Sequence, residues 1–157
     1  MKAKELREKI YSSFADLATS LGYSDVLGRV IACLLTHDFP VPLSRVAQET
    51  GYSSSMVSLS VDFLESVGMV RKIKKPGDRK LYLKADGNLL DAVKKIILAR
   101  IERKVSTTLK EFEDYKKELR KLKDEESKRL LNAINILEKE IRKTSRYVKI
   151  LSKVKLP

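Results

Sequence analysis

Between Gly87 and Pro157 the chain contains neither glycine nor proline. Those are the two residues least tolerated inside a helix, so nothing in this stretch stops a helix once it has nucleated. Its apolar residues also fall at helical spacing. Leu90, Val93, Ile97, Ile101, Val105, Phe112, Tyr115, Leu119 and Leu122 form one stripe. At 1.5 Å per residue that stripe runs on the order of 50 Å, too long for a small head to cover. Further on, Leu130, Ile134, Leu137, Ile141, Thr144, Val148 and Leu151 alternate by four and three over three heptads with a single polar member, the pattern of a packing seam between helices. Asp124 can cap a second helix after a turn at Lys123 to Glu126, which predicts a helical hairpin. One continuous helix stays open as the alternative, because the break holds no Gly or Pro.

Residues 1–85 are punctuated quite differently. Leu6, Ile10, Phe14, Leu17 and Leu21 place one apolar face on a first helix ended by Gly22. A second begins after Ser24, carries Val26, Leu27, Val30, Ile31, Leu34 and Leu35, and is broken by Pro40 and Pro42. Ser44 is the expected cap of a short third helix that turns inward Val46 and Ala47 and stops at Gly51. Ser53 opens a fourth, with Val57, Val61, Leu64 and Val67 on its core stripe, Ser54, Ser55, Ser58 and Leu59 mostly off it, and Gly68 at its end. Two strand-like runs, Met69 to Lys74 and Lys80 to Lys84, flank Pro76 and Gly77, the punctuation of a hairpin. The expected fold is mainly α: a winged helix-turn-helix of three-helix core plus β-hairpin wing, with a long helical dimerisation or coiled-coil region. Its divisions are 1–21, an N-terminal helix; 22–85, the winged domain; and 86–157, the long helices.

Charge is distributed unevenly over this plan. The whole chain carries a formal +12, which favours a polyanionic partner through release of condensed counterions. Residues 1–70 hold six Lys or Arg against eight Asp or Glu, so the first helices create no basic field. Residues 71–84 hold Arg71, Lys72, Lys74, Lys75, Arg79, Lys80 and Lys84 against Asp78 alone, a phosphate-seeking element on one hairpin. The structural alternative is an edge hairpin blunted by lysines. From Ile141 to Pro157 there are six cations and no acid. That suits a helix C-terminus through the macrodipole, and equally a second contact with DNA or an anionic membrane.

Other classes of function find little support. The chain has a single cysteine, Cys33, and a single histidine, His37, so no intramolecular disulfide and no thiol cage for a metal is expected. The two stand four apart on one helix and would make a redox-sensing low-pKa thiol if they faced each other; the plain alternative is a half-buried helix residue and a polar helix end. No GxGxxG, GxxxxGK[ST] or GxSxG string occurs, and one histidine supplies no Ser-His-acid set. Neither enzymatic activity nor a cofactor is expected. The opening MKAKELREKI alternates charged and apolar residues, unlike a signal peptide or a membrane span, so the protein is expected to be cytoplasmic and to have no membrane partner.

The runs GYSSSMVSLSVDFLESVGMV and KKPGDRKLYL carry a resemblance to the winged-helix regulators of the MarR superfamily, most closely its GbsR-like branch, over residues 26–84. The resemblance implies that the helix from Ser54 to Val67 reads a major groove while the wing lies along backbone or minor groove. The DNA-binding residues it implies are Ser44, Ser53, Ser54, Ser55, Met56, Ser58 and Leu59 on the helical side, and Lys72, Lys74, Lys75, Gly77, Arg79 and Lys80 on the wing. GDRK is similar to the family's Asp-x-Arg wing tip, with Asp78 orienting a neighbouring cation. Many relatives have Arg or Lys near position 59, where this chain has leucine, so bidentate guanine readout lacks support and specificity is expected to rest partly on DNA shape. Dimerisation is expected through Leu6, Ile10, Phe14, Leu130, Ile134, Leu137, Ile141, Val148 and Leu151, giving a homodimer on a pseudo-palindromic site with half-sites roughly 34 Å apart. The resulting expectation is sequence-selective binding of double-stranded DNA by a homodimeric transcription regulator. Two rivals remain: a coiled-coil interaction scaffold that uses its winged head on proteins, and a redox-responsive regulator or one controlled by a small-molecule effector that the sequence does not identify.

Overall fold

The computed structural model describes residues 2–157. It is mainly helical, with one small antiparallel sheet, in the order α1 (Ala3–Ser20), α2 (Asp25–Leu35), β1 (Val41–Pro42), α3 (Leu43–Thr50), α4 (Ser54–Ser66), β2 (Val70–Lys74), β3 (Leu81–Ala85), α5 (Leu89–Leu122) and α6 (Glu125–Lys153). The chain divides into two compact units, residues 1–92 and 93–157.

In the first unit α2 is the central element. Val30, Ile31, Ala32, Cys33 and Leu34 are all buried, as an apolar helix wrapped on several sides requires. Gly28 allows α1 to lie almost on its backbone: a Cβ at this position would sit 2.1 Å from the Phe14 carbonyl oxygen. Tyr11 and Ala15 are the α1 residues that go inward, whereas Leu6, Ile10 and Leu17 of the expected stripe remain exposed. The helix carries two apolar faces, and the tight crossing at Gly28 selects the one bearing the small Ala15. Val46, Val57, Val61 and Leu64 complete the core from α3 and α4.

The sheet has the order β1-β3-β2. Pairing of Val70 with Ala85 through Lys74 with Leu81 builds the β2–β3 hairpin, and Val41 pairs with Leu83 to add a third strand that the proline-flanked sequence did not announce. Because β1 runs directly into α3, that helix starts at Leu43 with Pro42 in the N-cap position. Ser44 therefore sits within the first turn instead of capping it. Gly51, with φ of +80°, ends α3 in the left-handed conformation that glycine adopts at least cost. At α4 the expected cap is present: the Ser53 hydroxyl accepts the Met56 amide at 3.2 Å, an arrangement contributing about 1 kcal/mol.

The second unit is an antiparallel helical hairpin of α5 and α6, so the chain breaks where Asp124 suggested. Lys123 takes the positive-φ position (φ 55°), and the Asp124 carboxylate accepts both the amide and the hydroxyl of Ser127 at 2.8 Å. An ion pair ties the helices at mid-length: Lys116 Nζ on α5 lies 2.6 Å from Glu138 on α6, which also accepts Arg142 of its own helix at 2.8 Å. The inward row of α6 is Ser127, Leu131, Ile134, Glu138, Ile141, Ser145 and Val148. Ile134, Ile141 and Val148 of the expected seam thus face α5, while Leu130 and Leu137 stay 48% and 51% exposed.

Candidate nucleic-acid interface

Two surfaces of the first unit hold most of the residues singled out by sequence. On α4, the turn after the Ser53 cap presents Ser54, Ser55 and Met56 to solvent, with Leu59, 72% exposed, one turn on and Ser58 half-buried beside it. Small hydroxyls and bare methyl groups at a helix N-terminus can approach a groove floor closely and leave amide N–H groups to meet phosphate. The Ser53 hydroxyl itself is occupied by capping. Ser44 is exposed at the start of α3.

The second surface is the tip of the β2–β3 hairpin. Lys75 through Asp78 form a turn closed by the Asp78 amide on the Lys75 carbonyl at 3.1 Å. Pro76 at its second position and Gly77 at its third, with φ of +75°, give the pattern of a type II turn. Asp78 organises the approach to β3, accepting the Lys80 amide at 2.9 Å and the Tyr82 hydroxyl at 2.7 Å. These bonds, the Lys80 amide first, hold its carboxyl below the usual range, and Asp78 in turn raises Tyr82. Lys75 Nζ rests 4.0 Å from the centre of the Tyr82 ring, a cation–π contact that keeps the ammonium outward. Among the described residues Lys74, Arg79 and Lys80 have exposed side chains with no ion pair. The tip is therefore a hydrogen-bonded turn flanked by exposed cations that make no ion pair among the described residues.

Lys72 stands apart from that group. Its Nζ lies 2.5 Å from Asp62 and 3.4 Å from Glu65, both on α4, and the Asp62 hydrogen bond is the main reason its pKa is raised. It clamps the hairpin to α4 and is already neutralised. Sequence reasoning missed this role because Asp62 and Glu65 lie outside the basic run, and it missed Tyr82 because nothing local marks a tyrosine as the support under a lysine. Arg71, 3.6 Å from Asp86, is likewise partly compensated. In the second unit, Lys139, Arg142, Arg146 and Lys149 line an open groove with Leu109 and Ser145.

The cysteine and histidine meet a third partner that the sequence did not reveal. Glu49 of α3 accepts His37 Nε2 at 2.9 Å, Arg45 Nε at 2.8 Å and the Tyr11 hydroxyl at 3.1 Å. Burial pushes the Glu49 carboxyl up, but the bonds from His37, Arg45 and Tyr11 outweigh it and bring it down to about 2. Cys33 is fully buried, and that burial pushes its thiol up to about 11. The low-pKa thiol of a redox sensor is thus corrected: an inaccessible, protonated sulfur beside a carboxylate is the opposite environment.

These features define a helical protein whose first unit presents one helix N-terminus and one cationic hairpin. A solved structure described as a transcriptional regulator has a similar fold, with a TM-score of 0.53 at 19% identity over 91% of this chain and 98% of its own. A probable transcriptional regulator from Pseudomonas aeruginosa is similar over 60% of this chain and 70% of its own at 16% identity, with a TM-score of 0.41 too low to carry weight. No protein-family profile and no curated protein matches the chain. Among the described residues no helix is long and apolar enough to cross a membrane.

Proposed function

We propose that this chain is a homodimeric transcription regulator that binds double-stranded DNA through a winged helix-turn-helix, residues 22–85, of the MarR superfamily and its GbsR-like branch. The observation that carries the reading is the hairpin tip: Lys74, Arg79 and Lys80 are unneutralised around a turn braced by Asp78 and Tyr82, in the same unit as the exposed start of α4. In this reading Ser54, Ser55, Met56, Ser58 and Leu59 enter the major groove. The wing, with Lys74, Lys75, Gly77, Arg79 and Lys80, follows the backbone or minor groove. Lys72 positions the wing against α4, and Ser53 caps the helix. The fold shared with a structure described as a transcriptional regulator supports it.

Residues 1–21 and 86–157 supply the dimer. Support comes from apolar side chains left exposed in the single chain: Leu6 and Ile10 on α1, Leu130 and Leu137 on α6. The test is binding of the purified protein to random and genomic duplex fragments across a salt series, with sedimentation for stoichiometry. A dimer selecting a two-fold-related site with steep salt dependence is the expected result. Absence of binding at low salt overturns the DNA reading and leaves the exposed α6 row as the working surface of a protein-interaction scaffold.

A further inference from the structure

One polar cluster is not used by this function. Cys33 and His37 lie one turn apart on α2, and Glu49 approaches them from α3. Their donor atoms, a sulfur, an imidazole nitrogen and a carboxylate oxygen, all fall within 4.8 Å of one another. Glu49 Oε2 is the common point, 2.9 Å from His37 Nε2 and 3.6 Å from Cys33 Sγ. The cluster is enclosed: the side chains of His37 and Glu49 are 5% and 17% exposed, and Cys33 is 0%.

We propose that Cys33 Sγ, His37 Nε2 and Glu49 Oε2 form a binding site for a divalent cation of the zinc class, with a water that enters on the partly exposed Glu49 side as fourth ligand. Metal–ligand bonds of about 2.0 to 2.3 Å in a tetrahedron separate neighbouring donors by roughly 3.3 to 3.7 Å. The Cys33–Glu49 separation already meets that, the His37–Glu49 pair has to open by about half an ångström, and the Cys33–His37 pair, which sets the 4.8 Å span of the three donors, has to close by about 1 Å. Sulfur and nitrogen donors select zinc-like ions over calcium or magnesium, which require oxygen cages. Arg45 holds the other carboxylate oxygen at 2.8 Å and Tyr11 donates to the ligating one at 3.1 Å, the outer contacts that orient a ligating carboxylate. On binding, the Cys33 S–H bond is replaced by a sulfur–metal bond and the proton leaves to solvent. The proton that His37 Nε2 donated to Glu49 is lost from Nε2 to solvent while Nδ1 carries the proton of the neutral ring, so the His37–Glu49 hydrogen bond gives way to two metal bonds, and no oxidation state changes. The ion would join α2 to α3, the helix that leads through Gly51 into α4, and the site stands whether or not the chain binds DNA.

The probe is cobalt(II) added to the full-length, metal-stripped protein. The expected result is a near-ultraviolet thiolate-to-cobalt charge-transfer band that saturates at one equivalent, tetrahedral visible bands, and loss of both on adding zinc. Because Cys33 is the only cysteine, that band can arise from no other side chain, so the wild-type protein alone decides the sulfur ligand even where Cys33→Ala fails to fold. His37→Gln and Glu49→Gln are expected to weaken cobalt binding on the order of tenfold or more while retaining the fold by circular dichroism. No charge-transfer band with excess cobalt, or unchanged cobalt affinity in folded His37→Gln and Glu49→Gln proteins, overturns the site and leaves a hydrogen-bonded knot between α1, α2 and α3.

Discussion

Arg79→Ala and Lys72→Ala remove one positive charge each from the same hairpin, yet the structure separates their effects on DNA binding. Arg79 has no acidic partner among the described residues, whereas Lys72 lies 2.5 Å from Asp62 and 3.4 Å from Glu65. A side chain that neutralises a phosphate displaces about 0.9 of a counterion, so two Arg79 contacts in a two-fold complex contribute about 1.8 to the slope of log K against log salt. Between about 50 and 200 mM salt, Arg79→Ala should therefore lose roughly twelvefold less affinity than the wild type. Lys72→Ala should keep a slope close to wild type, because its charge is compensated before DNA arrives. Its affinity should nevertheless fall at each salt concentration, since Asp62 and Glu65 then lose their cation on the helix proposed to enter the groove. Fluorescence anisotropy with a labelled duplex, repeated across the salt series, reads both quantities. A flattened slope in Lys72→Ala together with an unchanged one in Arg79→Ala would refute this division of the hairpin.

Gly28→Ala forces a methyl group to within 2.1 Å of the Phe14 carbonyl oxygen. It should cost about 3 kcal/mol, the upper end of overpacking, because backbone must move; an unchanged melting temperature by circular dichroism would contradict the close crossing. Ser53→Ala removes the acceptor for the Met56 amide and should lower stability by about 1 kcal/mol in urea denaturation, whereas no change would mean that the cap contributes nothing. In the metal-free protein, Cys33, buried and with its thiol pushed up to about 11, should resist iodoacetamide at neutral pH until denaturant unfolds the chain; alkylation at the rate of a free cysteine would refute that burial. The double variant Leu130→Ser, Leu137→Ser alters two exposed residues of α6 and should shift the protein towards monomer in sedimentation velocity at unchanged helicity, whereas an undisturbed dimer would place the interface elsewhere.

The mainly helical build and the hairpin were legible because their signals are local. Gly22, Gly51, Gly68 and Gly77 all take positive φ where the sequence reading ended a helix or turned a strand. Elements defined by a distant partner were not legible. Val41 and Pro42 look like linker between prolines, and they become a strand only because β3 offers a free edge to Val41 at Leu83. Glu49 carries no mark of its own, and it gathers Tyr11, His37 and Arg45 only once three helices have packed. The charge count on residues 71–84 located a basic hairpin correctly, yet which of its cations remain available depends on Asp62 and Glu65 of α4 and on Asp86, all outside that window.

The helical hairpin shows a sharper limit. Periodicity gives the repeat of a packing seam but not its phase when two apolar rows run side by side, and α6 has such neighbours at Leu130 and Leu131, Ile136 and Leu137, and Ile150 and Leu151. The heptad count followed the row through Leu130 and Leu137, the more apolar one, while α5 takes the row through Leu131, Glu138 and Ser145. The choice is physically reasonable. Glu138 answers Lys116 of α5 across the hairpin at 2.6 Å, beside the Glu113 carboxylate at 2.7 Å on the same helix as the lysine, and an apolar side chain in its place would desolvate that lysine without adding a partner. The polar match therefore accompanies the phase of the intramolecular hairpin that leaves the apolar row outward. A second helix packing on that row would gain the burial that α5 does not provide, which is the physical reason to look for the partner of this chain on the outer face of α6.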